Sequence, residues 1–160
     1  MISLANYFHY PNIQLVRIKA ADISETVALI NKAYAYQDVY KQAPRTNPEH
    51  LSKNATDNEF YIAKQGDEIV GCLYTKRGVH SVHFGLLTVA DEFRGKGLGP
   101  ALIEAVEAFA QHTGARNVEL DYMSAAPWLK PYYEKYGYVE TGEITNWGTI
   151  DLIRMSKPLL

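Results

Sequence analysis

The sequence predicts one α/β domain of 160 residues, with its elements in the order β-α-α-β-β-β-α-β-α-β-β. Three observations carry that expectation. Segments that alternate between apolar and polar residues are interleaved with segments whose apolar residues recur every three or four positions. A glycine-rich turn joins an apolar, strand-like run to a helical pattern. The composition, 47% hydrophobic and 21% charged, is that of an ordinary globular chain long enough to bury a sizeable core. No repeat, linker or low-complexity stretch divides the chain, so residues 1–160 are read as a single domain.

Each element has its own signal. Ile13 to Lys19 alternates and reads as the first strand. Ala21 or Asp22 then opens a helix in which Ile23, Val27, Ile30 and Tyr34 recur at helical spacing. Asp38 to His50 holds two prolines and mixed polarity, a loop with a short second helix after Pro48. Phe60 to Lys64 and Ile69 to Lys76 are strands of a hairpin turning at Gln65-Gly66-Asp67-Glu68. Val82 to Val89 is a central strand. The next helix runs from about Pro100 to Thr113, with Leu102, Ile103, Val106, Phe109 and Ala110 on one face and Gly114 as its stop. Val118, Leu120 and Tyr122 mark a strand. Pro131 suits the first turn of the helix after it. Tyr138 to Ile144 and Ile150 to Ser156 make a final hairpin.

Several function classes fall away early. A net charge of −2 offers no basic footprint for nucleic acid. No apolar run approaches the roughly 18 residues of a membrane span. The start, Met1 to Tyr10, has neither a basic leader nor a long apolar core, so no secretory signal is expected. The one cysteine, Cys72, cannot form an internal disulfide; it lies in the apolar run Ile69–Tyr74, reads as a packed strand residue, and suits a reducing, cytoplasmic setting. Twelve tyrosines are the compositional oddity.

The turn after Val89 reads A-D-E-F-R-G-K-G-L-G-P. Strand, glycine-rich turn and helix together make a place for phosphate, because the first N–H groups of a helix have no intrahelical partner and its dipole is positive there. The spacing decides between phosphate motifs. A dinucleotide fingerprint needs G-x-G-x-x-G, and Pro100 stands where its third glycine would be. A P-loop needs G-K-S or G-K-T, and Gly97 follows Gly95-Lys96. What remains is R-x-x-G-x-G, carried by Arg94, Gly97 and Gly99. Tyr133 follows Gly97 by 36 residues, inside W-L-K-P-Y-Y-E-K-Y-G-Y, Trp128 to Tyr138. Together the two motifs resemble the GNAT superfamily of acyl-CoA-dependent N-acetyltransferases. The resemblance covers roughly Ile13 to Ser156 and is specific over about residues 83–138. Leu129-Lys130-Pro131-Tyr132-Tyr133 is also locally similar to the arylalkylamine N-acetyltransferase branch.

The resemblance implies a mixed, mostly antiparallel sheet with helices on both faces. It implies that the strands before and after the phosphate-loop helix run parallel and splay apart to admit the pantetheine arm of acetyl-CoA. It places the cofactor on Leu87, Thr88 and Val89 and on Arg94, Gly95, Lys96, Gly97, Leu98 and Gly99. Tyr133 takes the place of the catalytic tyrosine and Gly137-Tyr138 that of the family's Gly-Phe. Two departures stand out. Ala126 occupies a place where many members carry asparagine, and Gly85 occupies the place of the arylalkylamine branch's second histidine.

Moving an acyl group from a thioester to an amine requires that the amine lose its proton, that the carbonyl be polarised and that the departing thiolate be protonated. No plausible Ser-His-Asp or Cys-His constellation competes with a direct transfer. A phenol, with a pKa of about 10, is protonated at neutral pH and can donate to a thiolate whose thiol titrates near 8.5, which makes Tyr133 the candidate acid. His83, with an ordinary pKa of about 6.5, is the candidate base, and simple alternation puts it on the same strand face as Leu87. A water chain is the other source of a base. Tyr34, Tyr36, Tyr40, Arg45 and Trp147 are the residues available to the acceptor; Arg45 can pair with a carboxylate and the rings can hold an aryl group or a cation. No metal is expected. The expected activity is acetyl transfer to a small-molecule amine, with a peptide amine or a non-catalytic acyl-CoA sensor as the alternatives. A second copy of the chain remains open as a partner.

Overall fold

The computed structural model describes residues 3–37 and 44–160. Its strands are β1 (Gln14–Arg17), β2 (Glu59–Gln65), β3 (Glu68–Arg77), β4 (Ser81–Val89), β5 (Asn117–Met123), β6 (Val139–Trp147) and β7 (Ile150–Pro158). Its α-helices are α1 (Ile23–Ala33), α2 (Pro48–Asp57), α3 (Leu98–His112) and α4 (Leu129–Glu134). These stand in the order the sequence predicts, with short 3₁₀ turns between them. The strands form one sheet in the order β1-β2-β3-β4-β5-β7-β6. Every neighbouring pair is antiparallel except β4 and β5.

Local chemistry explains the elements. Asn47 caps α2 by accepting the His50 N–H at 2.8 Å, and Pro48 occupies the first helical position, where no N–H is needed. α1 buries Thr26 and Ile30, and its Glu25 accepts the Ile69 N–H at 2.9 Å, tying the helix to the start of β3. In α3, Leu98, Leu102, Ile103, Ala105, Val106, Phe109 and Ala110 are all buried, one stripe wide enough to hold the helix on the sheet. β2 and β3 each carry near-continuous buried runs because both faces of the sheet are covered there. α3, α4 and the N-terminal turn Leu4–Tyr7 cover one face; α1 and α2 cover the other, over Phe60, Ile62, Cys72 and Leu86.

Two irregularities of β4 shape the rest of the molecule. It pairs with β5 only at Ser81, Val82 and His83, opposite Asn117, Val118 and Glu119; beyond that the strands part, and β5 continues along β7. The expected splay is therefore present. On its other side β4 bulges against β3: Cys72 pairs with Thr88 and Tyr74 with Gly85, so Leu86 and Leu87 together face Leu73. Leu86 takes the left-handed conformation, φ 52°, a cost of about 1–3 kcal/mol for a non-glycine residue. Its buried side chain and its carbonyl, which accepts the Thr88 hydroxyl at 2.9 Å, hold it there.

Candidate active site

The phosphate loop follows β4 directly. The turn Asp91–Phe93 leads to Gly95, and Gly97, with φ 86°, is the residue from which α3 springs. The helix begins at Leu98, two residues before the expected Pro100, because proline is admitted within a first turn as readily as at its start. A Cβ placed on Gly95 or Gly97 would meet nothing within 4 Å. The backbone thus faces open space at the positive end of a 15-residue helix. Leu98, fully buried, anchors that end in the core, so only its backbone is presented to the loop. The N-terminal segment braces the loop from behind, through the Tyr10 hydroxyl donating to the Lys96 carbonyl at 2.8 Å. Arg94 lies at the rim, 60% exposed, its Nε 3.1 Å from Asp91, which in turn lies 3.6 Å from Lys32.

At the mouth of the gap between β4 and β5, the Tyr34 hydroxyl donates to the Leu87 carbonyl at 3.0 Å. The bulge sets which side chains look where. Val82 and Phe84 face α3, yet after the bulge Leu87 and Val89 face it instead, while Leu86 packs beneath α1. His83 is on the α1 face, its ring 6.2 Å from that of Tyr74. The expectation that His83 and Leu87 share a face is therefore wrong: one extra residue between them reverses the alternation on which it rested. The Thr88 side chain is buried and spent on the Leu86 carbonyl, so only its backbone can serve a ligand.

Tyr133 sits on α4, 8% exposed, in T-shaped contact with Phe84, Tyr132 and Tyr138 at 6.4, 5.2 and 6.0 Å. The end of its helix shows why Gly137 and Tyr138 follow it. Gly137, φ 99°, sends its N–H to the Glu134 carbonyl and the Tyr138 N–H bonds the Tyr133 carbonyl, at 3.0 and 3.3 Å. This is a Schellman closure, which needs a left-handed residue at that one place. Tyr138 is then pinned by its hydroxyl, which donates to Glu107 at 2.8 Å; Glu107 also holds Lys157 at 2.8 Å. Burial, reinforced by Tyr34, Tyr132 and Tyr36, pushes the Tyr133 phenol well above its ordinary range. It is protonated at any physiological pH, and among the described residues its hydroxyl has no hydrogen-bond partner.

The face under α1 carries the remaining predicted residues. Arg45 lies between the rings of Trp147 and Tyr34, 5.0 and 5.7 Å from their centroids. Asn31 fixes the backbone beside it through both Thr46 backbone groups, at 3.0 and 2.9 Å. Tyr36 joins Tyr34 to Trp128 in a ring series at 6.1 and 5.4 Å. Tyr40 lies outside the described residues. Burial lowers the His83 pKa below its ordinary value; Asp121 opposes this and Arg154 adds to it. Arg154 is itself clasped by Asp121 at 2.6 Å and Glu119 at 3.2 Å. Cys72 is buried, its thiol pushed up to about 12 by burial, as befits a packing residue.

The family described as the acetyltransferase (GNAT) domain matches residues 28–159. The chain belongs to this family. An uncharacterized N-acetyltransferase of Chlorobaculum tepidum is 26% identical over 127 residues, 76% of this chain and 72% of that protein. Two solved structures share the GNAT fold. PaiA N-acetyltransferase of Thermoplasma acidophilum, in complex with coenzyme A, has a TM-score of 0.73 at 15% identity, over 92% of this chain and 99% of that one. The ribosomal-protein-S18-alanine N-acetyltransferase of Escherichia coli has a TM-score of 0.72 at 18% identity, over 91% and 93%.

Two residues beside the candidate site, Tyr74 and Asn31, escaped the sequence reading, and Tyr132, legible only as part of its motif, gains a contact. Tyr74 lies flat over Gly85: a Cβ there would stand 2.6 Å from its ring and hydroxyl. The place of a branch-specific histidine is filled by a tyrosine from the neighbouring strand. A glycine in mid-strand signals such a close approach, and that signal was available. Tyr132 brings its hydroxyl to 3.4 Å from where a Gly99 Cβ would be, linking α4 to the first turn of α3. Asn31 is a helix-face polar residue that nothing in the sequence connects to Thr46. Among the described residues no helix is long and apolar enough to cross a membrane, and no cluster of ligating side chains could hold a metal.

Proposed function

We propose that this GNAT protein transfers the acetyl group of acetyl-CoA to a primary amine of a small molecule, by direct attack with both bound together. The observation that carries the proposal is Tyr133. A protonated phenol with no hydrogen-bond partner among the described residues, close to Tyr34, whose hydroxyl bonds the Leu87 carbonyl, has its proton available at the gap. Acetyl-CoA supplies the activated thioester. The open space before Gly95 and Gly97 fits its diphosphate, with the backbone N–H groups of Gly95, Gly97, Leu98 and Gly99 as donors, Lys96 beside them with its own N–H spent on the Phe93 carbonyl, and Arg94 at the rim. The edge of β4 that β5 leaves beyond His83, at Leu87 to Val89, suits the pantetheine amides, as an added strand would.

The residues then divide the work. Tyr133 donates its proton to the departing sulfur. His83, half-buried on the acceptor side and below its ordinary pKa, is neutral near pH 7 and takes the proton of the amine. Tyr34, Arg45 and Trp147 line the approach of the acceptor. The test is release of free thiol from acetyl-CoA, followed colorimetrically, across a panel of small amines and short peptides. Release with small amines, faster than with peptides, is the expected result. Tight CoA binding with no release from any amine would replace the enzyme with a sensor.

A further inference from the structure

Among the described residues, Arg45 is a cation without an anion. Its guanidinium lies against Trp147 and Tyr34, and the titratable groups that interact with it among the described residues are the phenols of Tyr34, Tyr74 and Tyr36 and the His50 imidazole, whose pKa burial and Arg45 lower; none is an anion at pH 7. Its Nε is buried and has no hydrogen-bond partner among the described residues. The contrast with Arg154, clasped by two carboxylates on the same sheet face, is sharp. Enclosing a guanidinium in aromatic surroundings and leaving a donor unmade is costly unless something else satisfies it. The backbone beside it is clamped by Asn31 on both sides of Thr46, so the arginine is held in place rather than free to swing out to water. Its near neighbour Tyr34 reaches the Leu87 carbonyl, so this cation is one ring away from the strand that borders the gap.

We infer that Arg45 binds a carboxylate carried by the acceptor itself, so that the substrate class is the amino acids rather than simple amines. A planar guanidinium pairs with a carboxylate through two parallel hydrogen bonds, and the aromatic rings on either side fix its plane. The carboxylate supplies the missing charge. The amine end of the same molecule then points along the Tyr34 ring toward Leu87, with the chain between the two charged groups setting which amino acids fit. This rests on the acetyltransferase reading above.

The experiment compares pairs of amines that differ only in charge: α-amino acids and ω-amino acids of increasing length, each against its carboxamide. Thiol release is measured with the wild-type protein and with Arg45→Gln. Calorimetric titration of the same compounds into the CoA-loaded protein runs in parallel. The wild type is expected to prefer the best carboxylate over its carboxamide by on the order of a hundredfold in kcat/KM, and Arg45→Gln to bring that ratio close to one. A variant that still binds CoA is folded; should it not, Arg45→Lys replaces it and is expected to keep part of the preference. Equal rates for both members of every pair in the wild type overturn the inference and leave the acetyltransferase standing. Arg45-dependent binding of carboxylates without any thiol release supports the inference and overturns the transfer reaction. An unchanged ratio in Arg45→Gln removes Arg45.

Discussion

The two sides of the gap are built in different ways. On the proposed cofactor side the working groups are backbone atoms: open amides of the loop between Gly95 and Gly99 and the edge of β4 that β5 leaves. On the acceptor side they are side chains from elements far apart in sequence: Tyr34 from the end of α1, Arg45 from the segment before α2, Tyr74 from β3, His83 from β4 and Trp147 from the end of β6. A backbone site depends on glycines at a fixed spacing and so leaves a motif in the sequence. A side-chain site has many solutions, and each can be changed without disturbing the other side.

The largest expected effect breaks the join between the two. Tyr133→Phe keeps the ring that packs on Phe84 and Tyr138 and removes only an unpartnered hydroxyl, so stability and CoA affinity should hardly move. The kcat should fall by about 10²–10⁴-fold, the range for a positioned acid. Steady-state kinetics beside a CoA titration measure both, and a wild-type rate would remove Tyr133 as the proton donor.

Gly97→Val tests the cofactor side alone. It forces a branched residue to φ 86° and fills the space before the helix. CoA affinity should drop on the order of a hundredfold, read by calorimetry, with the melting temperature checked alongside. Unchanged affinity in a folded variant would show that phosphate does not bind there.

His83→Gln tests the acceptor side. Because burial lowers its pKa, the acidic limb of kcat/KM should lie below pH 6.5. The sign follows from the role: an imidazolium cannot accept the amine's proton, so activity is lost as pH falls through the lowered value. The substitution should cut kcat/KM by roughly 10²-fold and abolish the limb. A limb that persists at near-normal rate would hand the role to water.

The smallest effect is the most discriminating. Gly85→Ala pushes a methyl group into the Tyr74 ring, an overpacking cost of about 1–3 kcal/mol, seen as a lower melting temperature. It should raise the KM for the amine and leave CoA affinity alone. A parallel fall in CoA affinity would mean that the two sides are not separable.

Element order was legible in the sequence to within a residue or two at most ends, because apolar periodicity reports burial and burial builds the elements. α3 began early only because proline marks a first turn rather than its first residue. The glycine-rich turn before α3 and the glycine that ends α4 were legible because Gly97 and Gly137 are demanded by backbone conformation and so leave a motif. The bulge at Leu86 was not. It arises where β4 must match β3 on one edge while leaving β5 on the other, a condition set by strands distant in sequence, and Leu86 carries no residue-type signal for a left-handed backbone. Missing it reversed the facing of Leu87 relative to His83. Tyr74 and the isolation of Arg45 were likewise invisible, since both depend on which side chains meet across the fold.

That one extra residue has a consequence for how the molecule can change. Before it, β4 directs His83 and Gly85 into one compartment; after it, Leu87 and Val89 turn toward the other. The strand is a wall with a doorway, and each half furnishes both rooms but in opposite alternation. Substitutions at His83 or Gly85 redecorate the room under α1, whereas those at Val82 or Phe84 fall on the α3 side. Deleting a single residue at the doorway would turn the second half of the strand around and exchange the furniture of both, which makes insertion and deletion at this point far more damaging than any exchange of side chain.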